Sequence, residues 1–255
     1  MEPTLRTSYI ISLTTIVAVT VGASVYFRLR LQTSWRWFGF GAVVFLLSQL
    51  VRVLVLATLI NFLGGRVPGW AMMCAVTAGI FEEVGRYLGY KYLVPQARSW
   101  ESGFFYGLGH GALEAMLTAG LMGVAMYTFL AYGRLDISVV KFGPQEFADI
   151  LEAQTWWFPL AGVLQRVAAL PIHIALSLVV MRSILSGNYT WVCLAVVLHS
   201  GINIIVGLTF EHFGVLQSEV VALVFAGLAS CAIFRMRSVL TCETKRGRVS
   251  HTGGF

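Results

Sequence analysis

The chain has 255 residues, of which 57% are hydrophobic and only 12% charged, and its mean hydropathy is +0.77. That composition excludes an ordinary soluble domain and is that of a polytopic membrane protein. The net charge of +6 falls largely where it meets anionic lipid on the cytoplasmic side, so it gives no ground for nucleic-acid binding.

Seven apolar runs follow one another, at about 8–27, 37–62, 69–90, 103–132, 158–184, 189–210 and 217–236. Each reaches the roughly 20 residues that a helix needs to cross about 30 Å of hydrocarbon. The expected fold is all-α, one seven-helix transmembrane domain over 1–241, with a short polar cytoplasmic tail, 242–255, expected to be disordered. The first run has neither a positive n-region nor a small-residue cleavage pattern, and Arg28 and Arg30 follow it, so it reads as a retained anchor. In the fourth run Gly103, Gly107 and Gly111 give one smooth face for close helix contact. Before the fifth, Phe147, Ile150 and Leu151 lie at helical spacing opposite Glu146, Asp149 and Glu152, which predicts an outer interfacial helix over 145–154, with Trp156 and Trp157 as an aromatic belt. Pro171 is placed to kink the fifth run just before His173. The four cysteines, Cys74, Cys193, Cys231 and Cys242, have neither disulfide-framework nor zinc-cluster spacing.

Charge distribution orients the bundle. With the N-terminus outside, the cytoplasmic ends collect Arg28, Arg30, Arg36, Lys91, Arg98, Arg182, Arg235 and Arg237 and the basic tail, whereas the outer side holds only Arg6, Arg66, Arg134 and Lys141. The positive-inside rule therefore predicts N-out and C-in.

Polar residues inside the runs carry the functional signal. Glu82, Glu83 and Arg86 fall within five positions of an otherwise apolar helix, and each ionisable group at mid-bilayer costs about 2.5–3.5 kcal/mol on insertion scales. His110 and Glu114, His173 and Ser177, and His199 and Asn203 are each spaced i,i+4, which puts each pair on one helix face. Counted from the cytoplasmic ends of helices 69–90, 103–132, 158–184 and 189–210, Glu83, His110, His173 and His199 lie roughly 10–15 Å deep at the helical rise. Four helices thus bring ionisable groups to one level in the cytoplasmic half, and a site opening to that half is expected. Gln49, Arg52 and Arg166 read as interhelical glue, with support of the site residues as the alternative.

Three chemistries suit two carboxylates and three imidazoles. His110, Glu114, His173 and His199 form a candidate ligand set for Zn2+, with a glutamate taking the proton of water. In a metal-free alternative a buried glutamate activates water while imidazole and the Asn203 amide donate to the oxyanion. Haem between two histidines is the third, and it has no use for adjacent glutamates.

Glu82-Glu83-x-x-Arg86, Gly109-His110-Gly111-x-x-Glu114, His173 and His199-x3-Asn203 on successive helices resemble the YhfC family of intramembrane metalloproteases. That family belongs to the clan of type II CAAX prenyl proteases, PrsW proteases and the anterior-pharynx-defective subunit of gamma-secretase. The resemblance covers the second to seventh runs. It implies that Glu82 activates water with Glu83 as partner, that His110 is the histidine of the second motif, and that His199 and Asn203 coordinate metal or stabilise the oxyanion. It also matches His173 to a histidine of the YhfC and PrsW branches. Tyr106 stands where the family motif has Phe, and EExxR replaces the EExxxR of CAAX proteases, so prenylated substrates are not carried over.

The expected function is an intramembrane peptidase of a bacterial inner membrane, acting on a membrane protein, a peptide or a lipid-modified peptide. The catalytic set is Glu82, Glu83, Arg86, His110, His199 and Asn203. A non-catalytic assembly scaffold and a membrane acyltransferase or lipid-modifying enzyme are the alternatives. A transporter fits less well, for want of an inverted repeat or paired broken helices.

Overall fold

The computed structural model describes residues 3–63, 69–120 and 155–252. All regular structure in them is helical: α1 (Pro3–Leu31), α2 (Trp35–Phe62), α3 (Trp70–Leu88), α4 (Trp100–Ala115), α5 (Phe158–Ser186), α6 (Thr190–Phe213) and α7 (Val215–Thr252). Single π-helical turns prolong α3 over Gly89–Leu93 and α4 over Met116–Gly120. Ser34 and Ser99 cap α2 and α4, the latter through a reciprocal pair with Ser102, and Gly187 ends α5 in the left-handed region at φ +66°. The interfacial helix expected over 145–154 and the outer part of the fourth run lie outside the described residues.

The protein is an integral membrane protein. Five helices, α1, α2, α5, α6 and the Val215–Thr241 part of α7, are long and apolar enough to cross a bilayer. α3 carries the Glu82, Glu83 and Arg86 charges, and α4 has 16 residues. α7 continues through the polar segment to Thr252, where a disordered tail was expected. A long helix that is already nucleated adds residues at little cost, even where few are apolar.

Neighbouring contacts fix how the helices run. Gly103, Gly107 and Gly111 of α4 meet Met181, Ile174 and His173 of α5 in that order, so α4 and α5 are antiparallel. Tyr87 meets Tyr189 while Gly79 meets Ser200, so α3 and α6 are antiparallel too. The start of α7 packs Ala222 and Ala226 on Ala168, and Ile233 accepts the Trp100 indole N–H further along. One end of the bundle, here the basic end, therefore carries Arg28, Arg30, Arg36, Lys91, Arg98, Arg182 and Arg237. There Arg36 lies over Trp37 and Arg182 over Trp191, both at 3.9 Å.

α5 is the central helix and packs on α1, α3, α4, α6 and α7. The main core fills its basic-end half, where Tyr90, Phe105, Tyr106, Leu108, Leu178, Met181 and Leu240 are fully buried. Close backbone approach makes this packing possible. A Cβ on Gly41 would stand 2.0 Å from the Tyr106 carbonyl oxygen, and one on Gly109 would stand 2.1 Å from that of Phe38, so α2 and α4 touch main chain to main chain.

Candidate functional site

Glycines bring the charged residues together. A Cβ on Gly79 would lie 2.2 Å from the Ser200 hydroxyl, and that proximity of α3 and α6 carries Glu83 to His199 one turn further on. Gly107 and Gly111 seat α4 on α5, so that His110 and His173 stack at 5.3 Å and 29°. Phe45 of α2 packs edge-on against His110 at 5.0 Å and fixes that ring.

Arg86, fully buried, is the hub. Its Nη1 donates to Glu83 Oε1, its Nη2 to His173 Nδ1 at 2.7 Å and its Nε to His110 Nδ1 at 3.4 Å. A guanidinium only donates, so both rings accept at Nδ1 and carry their proton on Nε2. Those Nε2 atoms face carboxylates: His110 donates to Glu82 Oε2 at 3.0 Å, and His173 Nε2 pairs with Glu114 Oε2 at 2.5 Å. His199 is set the other way. Its Nδ1–H donates to Glu83 Oε1 at 2.7 Å, which leaves the Nε2 lone pair 3.9 Å from Glu82 Oε2. Glu82 and Glu83, which point apart on the helix, are thus both engaged, Glu82 by His110 and Glu83 by Arg86 and His199.

The structure brings Glu82, Glu83, Arg86, His110, Glu114, His173 and His199 into one cluster. Asn203, one turn beyond His199, lines the adjoining cavity and makes no hydrogen bond to a described residue. Ser177 is not in the cluster: it meets the Tyr90 hydroxyl at 2.7 Å on the basic-end side. The residues read as interhelical glue do bridge helices, and they do so at the site. Gln49 donates to Glu82 Oε1 at 2.8 Å and accepts from Arg52 at 2.9 Å, while Arg52 also binds the Cys74 carbonyl at 2.7 Å. Arg166 donates to Glu114 Oε1 at 3.2 Å. Three carboxylates thus share the layer with three guanidinium groups, the balance that a low dielectric demands. The i,i+3 pairing of Gln49 with Arg52 inside an apolar run was the available signal for this role.

A cavity of about 580 Å³ lies beside the cluster, with Glu114, His173, His199, Asn203, Arg52 and Arg166 in its wall. It reaches Phe158, Phe210 and Val215 at the far ends of α5, α6 and α7. Among the described residues the cavity therefore extends from the charged layer away from the basic end, the end that the charge pattern assigns to the cytoplasm. Residue depth along the helices gives the level of the layer. Which side is sealed depends on where the bulky side chains sit, and the stacked Tyr90 and Tyr106 rings, 4.4 Å apart, with Phe105 and Met181, close the basic end.

Fold and site together define a helical integral membrane protein with a buried Glu/His/Arg centre beside a cavity. Residues 15–226 match the family model described as YhfC intramembrane metalloprotease, and the chain belongs to that family. A relative from Bacillus subtilis (strain 168), named uncharacterized membrane protein YhfC, is 28% identical over 200 residues, covering 72% of this chain and 77% of its own.

The family name implies a metal, and the residues fit one in kind and spacing. Glu82, His110, Glu114 and His173 each offer a ligand atom, and these atoms lie within 4.8 Å of one another. Two carboxylate oxygens and two imidazole nitrogens suit Zn2+. His199, expected among the ligands, lies outside this foursome and is held by Glu83. Because Arg86 keeps the proton of both other rings on Nε2, uptake of a cation there requires His110 and His173 to shift that proton to Nδ1 and Arg86 to let go.

Proposed function

We propose that the chain is an intramembrane peptidase that hydrolyses a peptide bond of a membrane-associated substrate, with Glu82 as the base that activates water. The observation that carries this reading is the pair Glu82 Oε2 and His199 Nε2, two acceptors 3.9 Å apart, with His199 in the cavity wall. A water that donates one hydrogen to each is held with an oxygen lone pair toward the cavity. Glu82 stands just behind the wall and is oriented by Gln49 and His110, so its carboxylate needs no rearrangement as it takes the proton. His199 is kept in the accepting tautomer by Glu83, and Glu83 by Arg86. The uncommitted Asn203 amide donates to the carbonyl oxygen as negative charge develops on it. The proton on Glu82 then passes to the leaving amine. Zn2+, if held by His110, Glu114 and His173 with Glu82 left as the base, would supply Lewis-acid polarisation of the scissile carbonyl.

In the cell the basic end faces the cytoplasm of a bacterial inner membrane, so the cavity faces the outer leaflet. All seven helices span, and the N-terminus is outside. These placements rest on the basic end and on the alternation of the helices.

The test is Glu82→Gln, nearly isosteric, in purified full-length protein reconstituted with membrane proteins of a bacterial host. Cleavage followed by mass spectrometry should fall at least about 100-fold while thermal unfolding changes little. Cleavage retained in full by the Gln variant would sink the assignment.

A further inference from the structure

Beyond the catalytic layer, the wall of the cavity holds one carboxyl group that nothing in the described protein satisfies. Glu219, near the start of α7, is 5% exposed, and its Oε2 is buried without a hydrogen-bond partner. The cations that share its cavity are engaged elsewhere. Arg166 donates to Glu114, Thr118 and Gln165, and Arg52 to Gln49, Thr77 and the Cys74 carbonyl. Arg166 acts on Glu219 only through space. Glu82 and Glu83 pair with Arg86 and Glu114 with Arg166, which leaves Glu219 as the carboxyl group of the cavity with no hydrogen-bonded partner. A buried carboxylate without a hydrogen bond or counter-ion costs stability unless a ligand satisfies it.

We propose that Glu219 is a substrate subsite that receives a protonated amine or guanidinium of the peptide, the anchor that places the scissile bond against Asn203 and His199. The peptide identity of the ligand rests on the peptidase reading. The cation site itself does not, because binding needs no turnover. The position suits an anchor: Glu219 lies toward the far end, where the cavity opens, and a basic side chain or an N-terminal ammonium entering there meets it before the catalytic layer. The small residues Gly162, Ala169, Gly207 and Ala222 in the same wall leave width for a peptide backbone.

The experiment uses the full chain in nonionic detergent and follows thermal unfolding during titration with n-hexylammonium and, separately, n-hexanol. Hexylammonium should raise the unfolding midpoint of the wild type at concentrations at least tenfold lower than hexanol requires. Glu219→Gln should abolish that preference and raise the ligand-free midpoint, since it removes an unsatisfied charge. Glu82→Gln should keep the preference, which separates this site from the peptidase assignment. Equal responses to amine and alcohol in the wild type overturn the proposal without recourse to any variant, as does an amine preference that survives Glu219→Gln. Phosphatidylethanolamine and phosphatidylcholine doped into the micelles identify the source of the cation. If phosphatidylethanolamine alone displaces hexylammonium, the occupant is a lipid headgroup and the peptide subsite is wrong.

Discussion

The two halves of the bundle are built on opposite principles. At the basic end the helices close on one another through Gly41, Gly103 and Gly109, and the space between them is filled by Tyr90, Phe105, Tyr106, Leu178 and Met181. At the far end the facing positions are small, among them Ala75, Ala78, Gly162, Ala169, Gly207 and Ala222, and the helices leave a cavity of about 580 Å³. The charged layer lies where these regions meet. The packed half holds Glu83, Arg86 and His110 in a water-excluded setting, where each hydrogen bond is strong and costly to break. On the peptidase reading, the open half admits what reacts. A hydrolytic site in a membrane needs both, rigidity to orient the base and an aqueous path for water and peptide.

The largest expected effect tests the packed side of the junction against the open side. Arg86→Met leaves Glu83 buried without its counter-charge and should cost about 3–5 kcal/mol in denaturant or thermal unfolding, or prevent folding. Arg166→Met, which removes the Glu114 partner at a site where the two side chains are 26% and 16% exposed, should cost about 1 kcal/mol or less. Equal losses would show that the two regions do not differ in solvation.

The next effect falls on turnover and leaves stability alone. Asn203 faces the cavity and bonds to nothing described, so Asn203→Ala should change stability by less than about 0.5 kcal/mol. It should nonetheless lower the cleavage rate by about 100-fold or more, the loss typical of an oxyanion donor. A variant that loses stability and activity in proportion would make Asn203 a packing residue.

The charged layer was legible because helical rise is constant. Counting from the ends of four runs put Glu83, His110, His173 and His199 at one height, and they meet there. Rotation about the helix axes was not legible. Whether Gln49 and Arg52 faced lipid or Glu82 depended on how α2 turns when Gly41 meets the Tyr106 carbonyl, a contact between two runs far apart in sequence. The side of the opening was hidden for a related reason. Depth says where a charge lies along a helix, while the seal depends on which bulky side chains stack across helices, as Tyr90 and Tyr106 do. Glu219 went unnoticed as a site residue because one glutamate near the start of an apolar run reads as an interfacial charge.

The smallest effect concerns those two tyrosines, whose rings stack alike but whose hydroxyls differ. Tyr90 shares a hydrogen bond with Ser177 at 2.7 Å, and Tyr90→Phe strands the serine hydroxyl in a dry core, which should cost about 1 kcal/mol. The Tyr106 hydroxyl is buried with no partner and lies so near Gly89 that a Cβ there would come within 2.4 Å of it. Tyr106→Phe, which restores the residue of the motif this chain resembles, should therefore leave stability unchanged or raise it by about 1 kcal/mol. Thermal unfolding of both variants, together with cleavage rates that should stay at the wild-type level, checks whether the basic end is a packed plug and nothing more. A Tyr106→Phe variant that lost stability or turnover would mean that its hydroxyl meets water, and that the path to the charged layer also runs through the end taken here as sealed.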